Sequence, residues 1–349
     1  MQNEVLNKVK SELAFIGIGW IGLNRMKSIL DADICYPVGI FEPDENNAMK
    51  AYELAPDAIL YRDLDEMLDS QPDGIVIATP SALHANLSIK AIQKGIAVFC
   101  QKPLGRNAEE TRKVISSAYV SNRLLGLDLS YRYTDGIQKI HDKYRKEIGH
   151  IYAVDLVFNN AYGPDKAWFY NPALSGGGCL IDLGVHLIDL ALWMLDFPEI
   201  TKVSSTLMSK GVIIECDQNI VEDYVSAQFE TGTGVLVRLV CSWNLPAGQD
   251  AEIKASFYGT GGSALFYNVN GSFYDFETAI SHGTSREIVS RPPDDWGGKA
   301  LINWAKELQE SRSFRKSAFL YYNTAEVIDR IYGRNLALKP VWDEDTSHN

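Results

Sequence analysis

The sequence predicts an α/β chain in two parts: a doubly wound parallel-sheet domain over residues 1–130, then an α+β domain over residues 131–349 on a large antiparallel or mixed sheet. Three observations lead there. At 349 residues the chain is long for a single hydrophobic core. Its first third alternates short apolar runs with amphipathic stretches, the rhythm of βαβ units. Beyond residue 130 that rhythm stops, and strand-like runs follow one another through tight turns.

In the first part the apolar runs are Leu13–Ile16, Pro37–Phe41, Gly74–Ala78, Ala97–Cys100 and Leu124–Leu129. Each is short, partly β-branched or aromatic, and bounded by Gly, Pro, Asp or Asn, which suits strands buried on both faces. Helical patterns lie between them at Trp20–Leu30, Glu45–Leu54, Leu83–Lys94 and Ala108–Asn122. The second part opens with an amphipathic helix at Thr134–Lys146 and a strand at Ile151–Phe158. A loop rich in Gly, Pro and aromatics leads to a strongly apolar helix at Cys179–Leu195. Strands are then expected at Asp223–Glu230, Val235–Ser242, Glu252–Tyr258, Ala264–Phe266 and Ser272–Phe276, with closing helices at Ala300–Ser311 and Leu320–Tyr332.

A net charge of −12 with no Lys/Arg-rich run argues against nucleic acid and anionic membranes as partners. No run of the sequence reads as a membrane span, and Met1–Glu12 is polar, without the apolar stretch of a secretion signal. The five cysteines (Cys35, Cys100, Cys179, Cys216, Cys241) are scattered, odd in number and without CxxC spacing, so neither a disulfide framework nor a metal site is expected. A reducing, cytoplasmic setting follows as the expectation.

Gly17-Ile18-Gly19-Trp20-Ile21-Gly22 follows a strand and opens a helix. Gly17 permits the tight turn, Gly19 lets backbone approach a pyrophosphate, and Gly22 allows close helix–sheet packing, with the helix N-terminus supplying donors. Glu42 ends the second strand, where a carboxylate accepts from both ribose hydroxyls and repels a 2′-phosphate. No Arg or Lys follows it directly, so NAD is preferred over NADP. The first part is therefore read as a Rossmann dinucleotide-binding domain.

Thr79 and Pro80 end the fourth strand, and Gln101-Lys102-Pro103 ends the fifth. Strand ends of this kind face the ligand crevice, although Lys102 also suits an ordinary surface turn. His84 reads by itself as a residue that caps or packs its helix. In Gly176–Asp189, Asp182, His186 and Asp189 are spaced to share one face of an otherwise apolar helix. That face suits either a buried structural pair or a site in which the imidazole takes an alcohol proton. In the latter case a neighbouring carboxylate would fix its tautomer and raise its pKa.

Together these segments resemble the family named for glucose–fructose oxidoreductase, inositol dehydrogenase and MocA (Gfo/Idh/MocA), over nearly the whole chain. Gly17–Gly22 resembles its first turn and Ile75–Pro80 with His84 its fourth-strand signature. Gly95–Leu104 is similar to its Glu-Lys-Pro motif, and Gly176–Asp189 to its Gly-Gly-Gly-x-x-x-Asp-x-Gly-x-His-x-x-Asp helix. The resemblance implies an open C-terminal sheet used to form a homodimer or homotetramer, and hydride transfer on a sugar or cyclitol. It implies cofactor contacts at Gly17, Gly19, Trp20, Ile21, Gly22, Glu42, Thr79, Pro80, His84, Gln101 and Lys102. Lys102 would contact the reacting hydroxyl, Asp182 orient the substrate and His186 act as acid/base, with Tyr131, Arg132 and Trp168 lining the pocket. The family's usual Glu before Lys-Pro is Gln101 here, which removes a negative charge beside Lys102 and moves the weight of proton transfer toward His186. Relatives that use bound NAD transiently, for glycosidic cleavage or epimerisation, and non-catalytic sensors of the same fold are the competing implications.

Overall fold

The computed structural model describes residues 10–215 and 219–335. Cys216, most of the polar N-terminal segment and the end of the expected second part lie outside the described residues.

The first sheet has six strands: β1 (Ser11–Ile16), β2 (Cys35–Phe41), β3 (Ile59–Leu60), β4 (Gly74–Ile77), β5 (Ala97–Cys100) and β6 (Leu125–Leu127). They run parallel in the order β3-β2-β1-β4-β5-β6. Every residue of β4 and β5 is buried, as apolar runs without alternation require. The order reverses between β1 and β4, the place where such sheets open a ligand crevice. Helices α1 (Trp20–Ala32), α2 (Glu45–Leu54), α3 (Leu64–Asp69), α4 (Ser81–Gln93) and α5 (Ala108–Val120) fill the connections. Asp44, Asp63 and Asn107 each accept a backbone N–H at the starts of α2, α3 and α5. A third strand is implied before Gly74, but no run of the sequence is assigned to it, nor to helix α3; β3 is only two residues long with both side chains exposed, so it carries no apolar pattern.

The second sheet has nine strands: β7 (Ile151–Asn160), β8 (Ile200–Ser209), β9 (Val212–Ile214), β10 (Tyr224–Thr231), β11 (Leu236–Ser242), β12 (Ala251–Gly259), β13 (Ser263–Asn268), β14 (Phe276–His282) and β15 (Ser285–Ser290). Their order is β15-β14-β13-β12-β7-β11-β10-β8-β9, antiparallel throughout except for the β7–β11 pair. The expected strand Ser272–Phe276 is a turn up to residue 275, and β14 begins at Phe276. The Ser272 hydroxyl accepts the N–H groups of Tyr274 and Asp275, a local bond that competes with strand pairing.

The expected helix at Thr134–Lys146 is α6 (Asp135–Lys139), a π turn (Ile140–Tyr144) and α7 (Arg145–Glu147). After α8 (Pro172–Ser175), the apolar helix is a π turn (Leu180–Gly184) continuing into α9 (Val185–Met194). The stretch Pro172–Met194 is in fact long and apolar enough to cross a membrane, contrary to the sequence expectation, but 83% of its apolar window is buried inside the protein. Its side chains join β7, β10, β11 and β12 in one core. Helices α10 (Lys299–Glu310) and α11 (Tyr321–Ile331) close the chain. Helix α10 returns to the first sheet, where Trp304 and Leu308 pack with Leu13, Phe15 and Phe99. Gly74 and Gly126 make room for it, since a Cβ there would fall 2.6 and 2.5 Å from the Trp304 ring.

Candidate active site

A cleft of about 880 Å³ runs between the carboxyl edge of the first sheet and the second domain. One end is built by the turn after β1. Gly17 has φ +84, and a Cβ there would meet the Ala78 carbonyl oxygen at 2.6 Å. A Cβ on Gly22 would lie 2.2 Å from the Gly17 oxygen, whereas one on Gly19 meets nothing within 4 Å. The turn is thus tight on its protein side and open where a ligand would approach. Helix α1 begins without a side-chain cap and without an acidic residue in its first turn, which leaves its N-terminal donors to an anion. Glu42 lies beside it, accepting from Ile18 N–H at 2.5 Å and Asp44 N–H at 2.9 Å. These features fit a dinucleotide.

Further along, the ends of β4 and β5 contribute Thr79, Pro80, Gln101 and Lys102. His84 joins the two segments, its Nδ1 2.6 Å from Pro103 O and its Nε2 2.7 Å from Thr79 O. Both ring nitrogens face backbone carbonyl oxygens, to one of which the neutral ring donates, so His84 shapes the cleft wall rather than offering a ligand atom. Burial pulls its pKa down from the ordinary imidazole value.

Lys102 reaches across to the second domain, donating to Asp182 O at 2.7 Å and Asp182 Oδ1 at 2.9 Å. Trp243 Nε1 donates to the other carboxylate oxygen at 3.2 Å. Asp182 sits on the π turn before α9, and a buried carboxylate that sequence reasoning missed holds that turn. Glu222 accepts from Gly178 N–H and Leu180 N–H, both at 2.9 Å, and from the Tyr332 hydroxyl at 2.8 Å. Burial pushes the Glu222 carboxyl up, and these donors counter it. A Cβ on Gly178 would fall 1.9 Å from Glu222 O, which explains a glycine at that position.

The shared face expected for Asp182, His186 and Asp189 forms only in part, since Asp182 and His186 line the cleft and Asp189 does not. Asp182 is taken by Lys102, and Asp189 is buried against Arg132 and Thr324. His186 makes no ion pair with a carboxylate among the described residues and stacks on Tyr131 at 4.9 Å. Burial, then the Lys102 and Arg25 cations, hold its pKa well below the ordinary value, reversing the expected rise. Its Nδ1 is buried without a hydrogen-bond partner among the described residues.

Of the residues expected at the site, Gly17, Gly19, Trp20, Ile21, Glu42, Thr79, Pro80, His84, Gln101, Lys102, Tyr131, Trp168, Asp182 and His186 line this one cleft. Gly22 lies beneath the turn. Arg132, expected in the pocket, does not line it: its guanidinium pairs with Asp189 and covers the Trp193 and Phe197 rings. Residues not expected include Arg25, Phe273, Tyr274 and Trp296. The Trp296 indole donates to Tyr274 O at 3.0 Å, and Tyr274 approaches Trp20 at 6.3 Å across the cleft mouth.

Residues 12–128 match the oxidoreductase family with an NAD-binding Rossmann fold, and residues 138–265 match the GFO/IDH/MocA C-terminal domain. The chain belongs to the Gfo/Idh/MocA family. It is a nicotinamide-dependent oxidoreductase. The D-glucoside 3-dehydrogenase of Escherichia coli is 27% identical over 57% of this chain and 60% of its own length. The glucose-6-phosphate 3-dehydrogenase of Bacillus subtilis is 23% identical over 95% of this chain and 98% of its own. A levoglucosan dehydrogenase solved with NADH and levoglucosan superimposes with a TM-score of 0.77 at 19% identity, covering 93% of this chain and 97% of that one.

Proposed function

We propose that this protein moves a hydride between nicotinamide and a secondary alcohol of an uncharged sugar, sugar derivative or cyclitol, using NAD rather than NADP. The carrying observation is the convergence of Lys102, Asp182 and His186 in the same cleft as the glycine-rich turn. The names of the relatives support a sugar substrate; two are named for uncharged sugars and the Bacillus subtilis relative for a sugar phosphate, so the uncharged class rests on the cleft and not on the names.

The dinucleotide, when bound, supplies the hydride acceptor or donor. The chain supplies the rest. Lys102 commits two donors to Asp182 and keeps a third for the hydroxyl oxygen of the substrate. Asp182, fixed by Lys102 and Trp243, orients a neighbouring hydroxyl. His186 is neutral at pH 7, and with a proton on Nδ1 its Nε2 is the atom that takes the alcohol proton. Tyr131 and Trp168 offer ring faces to the apolar side of the substrate.

The preference for NAD rests on Glu42, whose carboxylate is held at the turn by two backbone donors. The preference for an uncharged substrate rests on pairing. Among the described residues the cleft cations Lys102, Arg25 and Lys166 each face a carboxylate, on Asp182, Asp128 and Asp165. A cytoplasmic setting and a homodimer or homotetramer complete the reading. The first is supported by the four free, buried cysteines at 35, 100, 179 and 241. The second is supported by an open face of the second sheet that bears Ser204, Thr206, Gln228, Arg238 and Lys254.

Absorbance of reduced nicotinamide tests the reading, with NAD or NADP against inositols, free sugars, alkyl glucosides and sugar phosphates. NADH formation on an uncharged polyol is expected. Turnover confined to sugar phosphates would overturn the substrate class, and silence with bound, unconsumed NAD would point to transient redox or sensing.

A further inference from the structure

A carboxylate behind the cleft organises two residues that face it. Asp128, just past β6, is 1% exposed and does not line the cleft. Its Oδ2 accepts from Arg25 Nε at 2.6 Å and from the Gln101 side-chain amide, while Oδ1 has no hydrogen-bond partner among the described residues. Arg25, on α1, and Gln101, at the end of β5, both line the cleft. An amide can meet a carboxylate only through its NH₂ group, so the contact fixes the amide orientation and leaves Gln101 Oε1 as the acceptor open to the cleft. The same carboxylate draws in one edge of the Arg25 guanidinium and leaves its remaining N–H groups as donors. Gln101 directly precedes Lys102, whose amine meets Asp182 in the same cleft, which puts the donor–acceptor pair at the reacting end.

We infer that Asp128 is a positioning residue that sets Gln101 as acceptor and Arg25 as donor toward the nicotinamide-ribose end of the dinucleotide, whose hydroxyls and carboxamide offer the complementary groups. The inference rests on the dinucleotide-binding reading of the cleft. It carries a consequence opposite to the family pattern. The acidic residue usual before Lys-Pro would here share one hydrogen bond with Asp128, and two carboxyls in one site cannot both ionise freely. Burial and, behind it, Asp128 raise the titration of Tyr133 and Cys100, and the Arg25 cation is paired with Asp128; Lys102 and His186 lie further along the cleft.

The test is NADH affinity by fluorescence titration from about pH 6 to about pH 9, a range over which a carboxyl raised by a like-charged neighbour ionises. The proteins are wild type, Gln101→Glu and the double variant Gln101→Glu/Asp128→Asn. In Gln101→Glu the protonated acid donates to Asp128 and imitates the amide, so binding at the low end matches wild type. As pH rises through the raised pKa the imitation is lost, and affinity falls about tenfold relative to wild type. In the double variant the Asn amide donates to the new carboxylate, and the pH dependence flattens. Thermal melts at each pH identify any variant that fails to fold. Wild-type-like affinity of Gln101→Glu at every pH, or an equal loss at every pH in both variants, overturns the assignment. Failure of the wild type to bind NADH at all would instead remove the dinucleotide reading beneath it.

Discussion

Replacing Glu42 by alanine separates cofactor choice from the integrity of the turn. Both carboxylate oxygens already accept a backbone N–H, from Ile18 and Asp44, and each retains a lone pair for a ribose hydroxyl. A hydrogen bond to a charged acceptor contributes about 1.5–3 kcal/mol, so bound NAD loses about 3 kcal/mol even at the low end. A 2′-phosphate would lie against the same carboxylate. Two unit charges 4 Å apart interact by about 1 kcal/mol in water, and a phosphate carries nearly two, so NADP gains about 1–2 kcal/mol. The 3′-hydroxyl bond is common to both dinucleotides and cancels, so the preference moves toward NADP by about 2.5–3.5 kcal/mol, on the order of a hundredfold. Losing an acceptor for two backbone donors loosens the turn for both dinucleotides alike, and the ratio cancels that damage. The assay is kcat/KM with NAD and with NADP on one preparation of the variant. A ratio within about threefold of wild type would refute the role of Glu42, and a wild type that prefers NADP would do so before any mutation is made.

Two further outcomes are expected. His186→Asn should lower turnover about 10²–10⁴-fold while leaving NADH affinity nearly unchanged. In the wild type, alcohol oxidation should hold as pH falls and fail only as it drops through the depressed His186 pKa. An acid limb of kcat/KM at or above the ordinary imidazole value of 6.5 contradicts that environment. Glu222→Ala strips the acceptor from three donors and should cost about 3 kcal/mol or more, seen as a melting temperature lower by several degrees. An unchanged melt would show that the π turn bearing Asp182 does not depend on Glu222.

The parts of the site legible in the sequence were those in which spacing alone carries chemistry. The glycine turn, Glu42 at the end of β2, Lys102 at the end of β5, and the Asp182 and His186 pair all line the cleft as expected. What spacing could not carry was which carboxylate meets which cation. Asp182 faces Lys102 from eighty positions away, and Asp189 faces Arg132 across fifty-seven. With both carboxylates committed elsewhere, burial and the Lys102 and Arg25 cations govern His186, so its pKa moves opposite to the expectation. Asp128 and Glu222 gave no signal because each acts on residues brought near only by packing. In the fold, the buried strands β4 and β5 were plain from their unbroken apolar runs. The short exposed β3 and the start of β14 were not, since one has no apolar face and the other follows a serine-stabilised turn.

The return of α10 to the first sheet orders events during synthesis. All six strands of that sheet are synthesised before residue 128, but the indole that fills the space over Gly74 and Gly126 belongs to Trp304. At elongation rates of roughly 5–20 residues per second, that ring follows about 10–35 s behind the last strand. During the interval Leu13, Phe15 and Phe99 lack the part of their cover that α10 supplies. A nascent chain stalled before residue 299 thus carries the whole glycine-rich turn on a sheet whose opposite face is still unsealed. The sheet that carries the nucleotide end of the cleft thus depends on a helix made long after its own strands.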